Sequence, residues 1–159
     1  MKKVLLAIMS AALMTMATPA MAGQATGTLA VSATAVINCT VTTTPVAFGS
    51  YAGTQLDAAG NVAFSCNAPV NATVALDQGG SFATTRNLSD GAAGSLAYEL
   101  YSDVGRTALL GNGIYGATAA VASAGATNAG ALPVYGRMPA SAAYTEGAYN
   151  DTVNVTVNY

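Results

Sequence analysis

The chain has 159 residues, of which 52% are hydrophobic and 8% charged, with no histidine. Five basic against seven acidic side chains give a net charge of −2, which excludes the phosphate neutralisation that nucleic-acid binding needs and a polybasic attachment to anionic lipid. The lack of histidine removes the commonest general base, and two cysteines without further soft ligands do not make a zinc site, so no metal and no cofactor is expected.

Residues 1–22 have the three-part layout of a secretory signal peptide: Lys2 and Lys3, an apolar run from Val4 to Met16, and the small-x-small triplet Ala20-Met21-Ala22. The run is shorter than the ~20 residues a spanning helix needs, so the mature chain is not expected to insert in a membrane. Cleavage after Ala22 removes both lysines and leaves Arg86, Arg106 and Arg137 as the only basic side chains. The remainder is of a size for one domain. Two cysteines behind an export signal are expected to pair, so Cys39 and Cys66 are assigned a disulfide. Closing that loop stabilises the fold by ~3.5 kcal/mol in the chain-entropy picture.

From there the chain alternates with period two between Gly, Asn, Asp and Pro punctuation, and reads as all-β. Leu29, Val31, Ala33, Ala35, Ile37 and Cys39 share one face of a first predicted strand, which Val41 continues until Pro45 kinks it and Val46–Tyr51 resumes it. A turn-rich stretch over 52–61 leads to a strand with Val62, Phe64 and Cys66 inward. Val74 and Leu76 mark the next strand, closed at Gly79-Gly80. Leu96, Tyr98 and Leu100 define another, followed by a turn over 103–105 and a short strand over 106–110. Residues 117–131 are nearly all small and are assigned no fixed structure. Leu132, Val134 and Met138 make a further strand, and Val153, Val155, Val157 and Tyr159 form the cleanest stripe of all. Seven or so short strands and a cysteine pair joining two of them point to an immunoglobulin-like sandwich, though without the tryptophan of antibody domains.

Several blocks also carry a family resemblance. They are Thr26-Gly27 ahead of Cys39, Phe48-Gly49-x-Tyr51, Cys66, Tyr98-x-Leu100-Tyr101-x-Asp103-x-x-Arg106-Thr107, Val134-Tyr135-Gly136-Arg137-Met138-Pro139 and Gly147-x-Tyr149-x-Asp151-Thr152-Val153. In this order and spacing the chain resembles the spore coat protein U-like domain, found in major subunits of archaic chaperone-usher pili. The resemblance implies an incomplete sandwich that lacks its last strand and is completed by donor-strand complementation. It divides the chain into a signal over 1–22, a donor extension over 23–36 and a pilin domain over 37–159. Leu29, Val31, Ala33 and Ala35 would be the inserted side chains, and Val153, Val155, Val157 and Tyr159 the strand beside the acceptor groove, where a periplasmic chaperone binds first. The implied partners are identical or related pilin subunits, that chaperone and an outer-membrane usher, with export through the periplasm to a surface fibre used in adhesion or biofilm formation.

Alternation by itself leaves two fates open for the N-terminal stripe, insertion into a neighbour or completion of its own sheet. Ala33 and Ala35 are also small for anchors. The competing functions are a secreted coat protein that forms no pili and a carbohydrate-binding module built on Tyr98, Tyr101, Tyr115 and Tyr135. Glu99 and Asp103 are the one pair of carboxylates that invites an enzymatic reading, and as strand-end and turn acids they are assigned to solvent instead.

Overall fold

The computed structural model describes residues 22–125 and 128–159, so the expected signal segment lies, apart from Ala22, outside the described residues. The chain divides into two units, residues 1–34 and 35–159. In the first, residues 22–34 form neither helix nor strand, and Leu29 and Val31 are 88% and 85% exposed. The strand expected from Leu29 onward therefore starts only at Cys39. An apolar stripe without a ladder partner leaves its backbone to water, and alternation alone supplies no such partner.

Among its described residues the second unit contains eight strands: β1 Cys39–Thr44, β2 Leu56–Cys66, β3 Asn71–Leu76, β4 Arg86–Ser89, β5 Ser95–Tyr101, β6 Ala119–Ala122, β7 Ala129–Met138 and β8 Val155–Asn158. They form a five-stranded sheet, β1-β2-β7-β5-β4, and a three-stranded sheet, β6-β3-β8, with every named pairing antiparallel. The main core lies between them. Val62, Tyr98, Leu100 and Val134 from the first sheet pack with Val74 and Leu76 from the second, and Leu110 joins from a connection. A smaller cluster of Phe64, Cys66 and Ala72 surrounds the Cys39–Cys66 disulfide.

The strands predicted around Val62–Cys66, Val74–Leu76, Leu96–Leu100 and Leu132–Met138 are present, because each has a bulky inward stripe to bury. Four local expectations differ from the structure. The stretch over 52–61 is strand from Leu56, since Leu56–Asn61 is held by ladder partners Pro133–Met138 and not by a stripe of its own. Residues 119–122 form β6 by pairing with Asn71–Val74, so small residues are sufficient where the backbone is paired. The segment over 106–110 makes only isolated bridges, Tyr101 with Leu109 and Leu110 with Ala117. Here the Asp103 carboxylate accepts from the Thr107 and Ala108 N–H groups and rounds the chain into a loop. Val46–Tyr51 leaves the ladder altogether.

Pro45 marks that departure. Its ring fixes φ where the β1–β2 register ends at Thr44, and the chain crosses over the inner face of the five-stranded sheet with Val46 and Phe48 packed on the core. Two glycines make the crossing possible. A Cβ at Gly60 would collide with the Thr44 carbonyl and Val46, and one at Gly136 would collide with Val46 and Phe48.

Candidate functional site

Two of the edge strands show the same imbalance. In β1, Val41 is the ladder partner of Phe64 and so shares its inward face. Phe64 is 2% exposed, yet Val41 is 42% exposed. In β8, Val155 and Val157 pair with Leu76 and Val74. The β3 residues are fully buried while their β8 partners are only half-buried. Inward-facing side chains on both edges thus lack the cover that their partners have.

A groove runs between these edges. Its narrower part has a volume of about 250 Å³, with Thr43, Thr44 and Pro45 on one wall, Val153 and Val155 on the other, and Val62, Leu76, Tyr98, Leu100 and Val134 as floor. Its wider part, about 830 Å³, lies between Pro45–Tyr51 and Tyr144–Asp151 over Leu88, Leu96 and Met138. Pro45, Val46, Phe48, Leu88 and Asp151 line both, so the two parts are continuous. At the wide end the walls meet, where the Tyr51 and Tyr144 rings stack edge to face at 5.3 Å and the Tyr51 hydroxyl donates to the Pro139 carbonyl at 2.8 Å.

The wall leading into β8 is fixed by two carboxylates. Asp151 accepts from the Tyr98 hydroxyl at 2.6 Å and from the Gly80 N–H at 2.8 Å. Burial and this carboxylate together push the Tyr98 hydroxyl well above the usual phenol range, so it stays a donor. Asp77 accepts from the Asn154 N–H at 2.9 Å, from Asn154 Nδ2 at 2.5 Å and from the Gly79 N–H at 2.9 Å. Burial acts to raise the Asp77 carboxyl, but the hydrogen bonds from Asn154 and Gly79 outweigh it and hold the group below its ordinary value. These contacts set the register in which the valine stripe faces the groove.

Of the expected groove residues, Val153 and Val155 line the narrow part, Val157 packs half-buried against both core clusters, and Tyr159 is 56% exposed. Of the expected donor residues, Leu29, Val31 and Ala33 lie in the first unit, and Ala35 is an exposed residue at the start of the second. Sequence reasoning did not single out the segment over 45–51 as a groove wall, although Pro45 and the Phe48-Gly49-x-Tyr51 block marked it. It also missed a buried cluster around Arg86. That guanidinium is 0% exposed, donates to the Asp77 carbonyl at 2.7 Å, lies 3.6 Å from a Glu99 oxygen and sits over the Tyr115 ring. Tyr115 donates to Glu99, and burial with that carboxylate pushes its hydroxyl up to about 12.

The remaining candidates have structural partners. Glu99 is held by Arg86 and Tyr115, while Asp103 is occupied by its own loop. Tyr98 is buried and cannot serve as a sugar platform.

The family model for the Spore Coat Protein U domain matches residues 25–156. No curated protein matches the chain. A solved structure similar in fold is the CsuC-CsuE chaperone-tip adhesion subunit pre-assembly complex from archaic chaperone-usher Csu pili of Acinetobacter baumannii. The TM-score is 0.60 and the identity 18%, over 79% of this chain and 40% of that one. The chain therefore spans less than half the length of that relative, and the likeness is one of fold: an all-β sandwich of the pilin type.

Proposed function

The chain belongs to the spore coat protein U domain family, and on that premise we propose that it is a structural subunit of a chaperone-usher pilus. The subunit is exported to the periplasm, held there by a chaperone, passed to an outer-membrane usher and polymerised by donor-strand exchange. The role is non-catalytic.

The observation that carries this reading is the groove flanked by two edges whose inward valines are less buried than their ladder partners. An added strand would pair with open backbone and cover apolar floor at once, which is the logic of strand addition to an exposed edge. The segment Thr26–Ala35 has the right form for the occupant, with Leu29, Val31, Ala33 and Ala35 alternating against the small side chains of Thr28, Ala30, Ser32 and Thr34, and no strand of its own. On insertion into a second copy, Leu29 and Val31 would each contribute about 1.5 to 3 kcal/mol by burial, and each new ladder hydrogen bond about 0.5 to 1.5 kcal/mol. The pre-assembly complex of the Csu relative supports a chaperone as the earlier occupant.

Deleting residues 23–35 while retaining 1–22 tests the reading. The truncated chain is expected to be exported and to bind the chaperone, but to give no fibres by electron microscopy. Normal fibres from it would refute donation by this segment. A wild-type chain that coats cells without forming fibres at all would favour the non-pilus coat protein.

A further inference from the structure

The base of the N-terminal segment is fastened where the first edge strand begins. Cys39 is the first residue of β1 and lies directly across from Cys66, the last residue of β2, to which it is bonded. Asn67 extends that fastening beyond the strand. Its Nδ2 donates to the Val36 carbonyl at 3.0 Å, its Oδ1 accepts from the Asn38 N–H at 2.9 Å, and its own N–H donates to the Asn38 carbonyl at 3.1 Å.

What is fastened is otherwise weak. β1 is a six-residue strand, Cys-Thr-Val-Thr-Thr-Thr, with a ladder on one side only. Val41, its sole large apolar residue, is 42% exposed. β2 is its opposite, eleven residues long and paired on both sides, with β7 partners from Leu56 to Ser65. A pull on residues 23–38 of an unclamped domain would open β1 from its first residue, breaking one hydrogen bond after another. That strand also supplies Thr43 and Thr44 to the groove wall and leads into Pro45. Peeling it would therefore dismantle the groove in which the neighbouring subunit's strand sits.

We infer that the Cys39–Cys66 bond and the Asn67 collar form a mechanical clamp that passes tension from the N-terminal segment into β2, and so prevents strain at one joint of the fibre from loosening the next. This rests on the fibre reading above. With the clamp closed, force enters at the end of β2 and loads two ladders together. With it open, force acts on one edge strand in sequence. The disulfide thus keeps each joint mechanically independent.

Two measurements test the clamp. Single fibres are held at constant load before and after reduction with a phosphine, with thiol alkylation and mass spectrometry to verify that both cysteines are free. Reduction is expected to shorten the time to rupture by about tenfold or more, the scale of effect expected when a native disulfide no longer constrains a small domain, and Asn67→Ala is expected to move it in the same direction by less. Equal lifetimes for oxidised and reduced fibres overturn the inference and leave the fibre reading intact. Hydrogen exchange on the purified chain, which needs no fibre, is the second measurement. Reduction is expected to remove protection from peptides covering 39–44 and to spare those covering 56–65 and 129–138. Unchanged protection over 39–44, or a uniform loss across all three, refutes the clamp. Failure of the wild-type chain to make any fibre is a separate result and counts against the function proposed above.

Discussion

Two apolar stripes with the same sequence pattern have opposite surroundings in this molecule. Leu29 and Val31 alternate with the small residues Thr28, Ala30 and Ser32 and stand almost wholly exposed. Val153, Val155 and Val157 alternate just as regularly and pack half-buried against the core. Period two says only that one face of a segment wants cover. The difference lies in the neighbours: the second stripe is held by Asp77 and Asp151 and by ladder bonds to β3, whereas residues 22–34 form no strand. One stripe has found most of its cover within the domain, and the groove beside it is where a stripe like the other would fit.

A charge placed on the exposed stripe separates these roles most sharply. Val31→Asp is expected to leave the fold of the isolated chain unchanged, because the side chain is 85% exposed there. Assembly is expected to fall by about a thousandfold or more, since a carboxylate taken into an apolar groove loses its hydration without a partner. Thermal unfolding of the purified chain and fibre yield from cells would be compared. A variant that loses stability but still assembles would mean that residue 31 is covered within its own domain.

The second effect acts on the held stripe. Asp77→Ala removes the acceptor for both Asn154 donors and for Gly79, and is expected to lower the unfolding free energy at neutral pH by about 1 to 3 kcal/mol in a urea titration. The sign with pH follows from the direction of the shift. Asp77 has its folded carboxyl held below the ordinary 3.8, so its contribution is fully present above about pH 4 and is lost as pH falls through the lower, folded value. The gap between wild type and variant should accordingly close in acid. A gap that stays constant down to pH 2 would show that the carboxylate's charge has no part in holding the strand.

The same contrast explains what was legible in the sequence. Strands with a bulky inward stripe, such as those carrying Phe64, Val74 and Leu100, were readable because burial of the stripe and formation of the strand are one event. β6 and the first half of β2 were not, because small or irregular residues there are held by a partner's backbone, and no residue announces its partner. β4 was missed for a related reason: its buried residue is Arg86, whose charge reads as surface until Glu99 and the Asp77 carbonyl are seen beside it. One groove wall was visible as a valine stripe. The other was visible only as motif residues, since Val46 and Phe48 owe their position to the space left by Gly60 and Gly136.

Size complementarity gives the smallest effect. Ala33 and Ala35 are short for a groove whose two parts measure about 250 and 830 Å³, so an inserted Thr26–Ala35 strand would fill its positions unequally. Ala33→Val adds two buried carbons and is expected to tighten the joint by about 1.5 kcal/mol, or roughly tenfold in dissociation rate, if the facing space is open. The isolated chain should not change, because residue 33 is exposed there. Dissociation of preformed fibres in denaturant would be followed for both proteins. Slower dissociation of the valine variant would place residue 33 over unfilled space. Faster dissociation would place it against a wall, since overfilling a packed site destabilises it by a similar amount, and the Leu29 and Val31 end would then be the part of the strand that the wider volume receives.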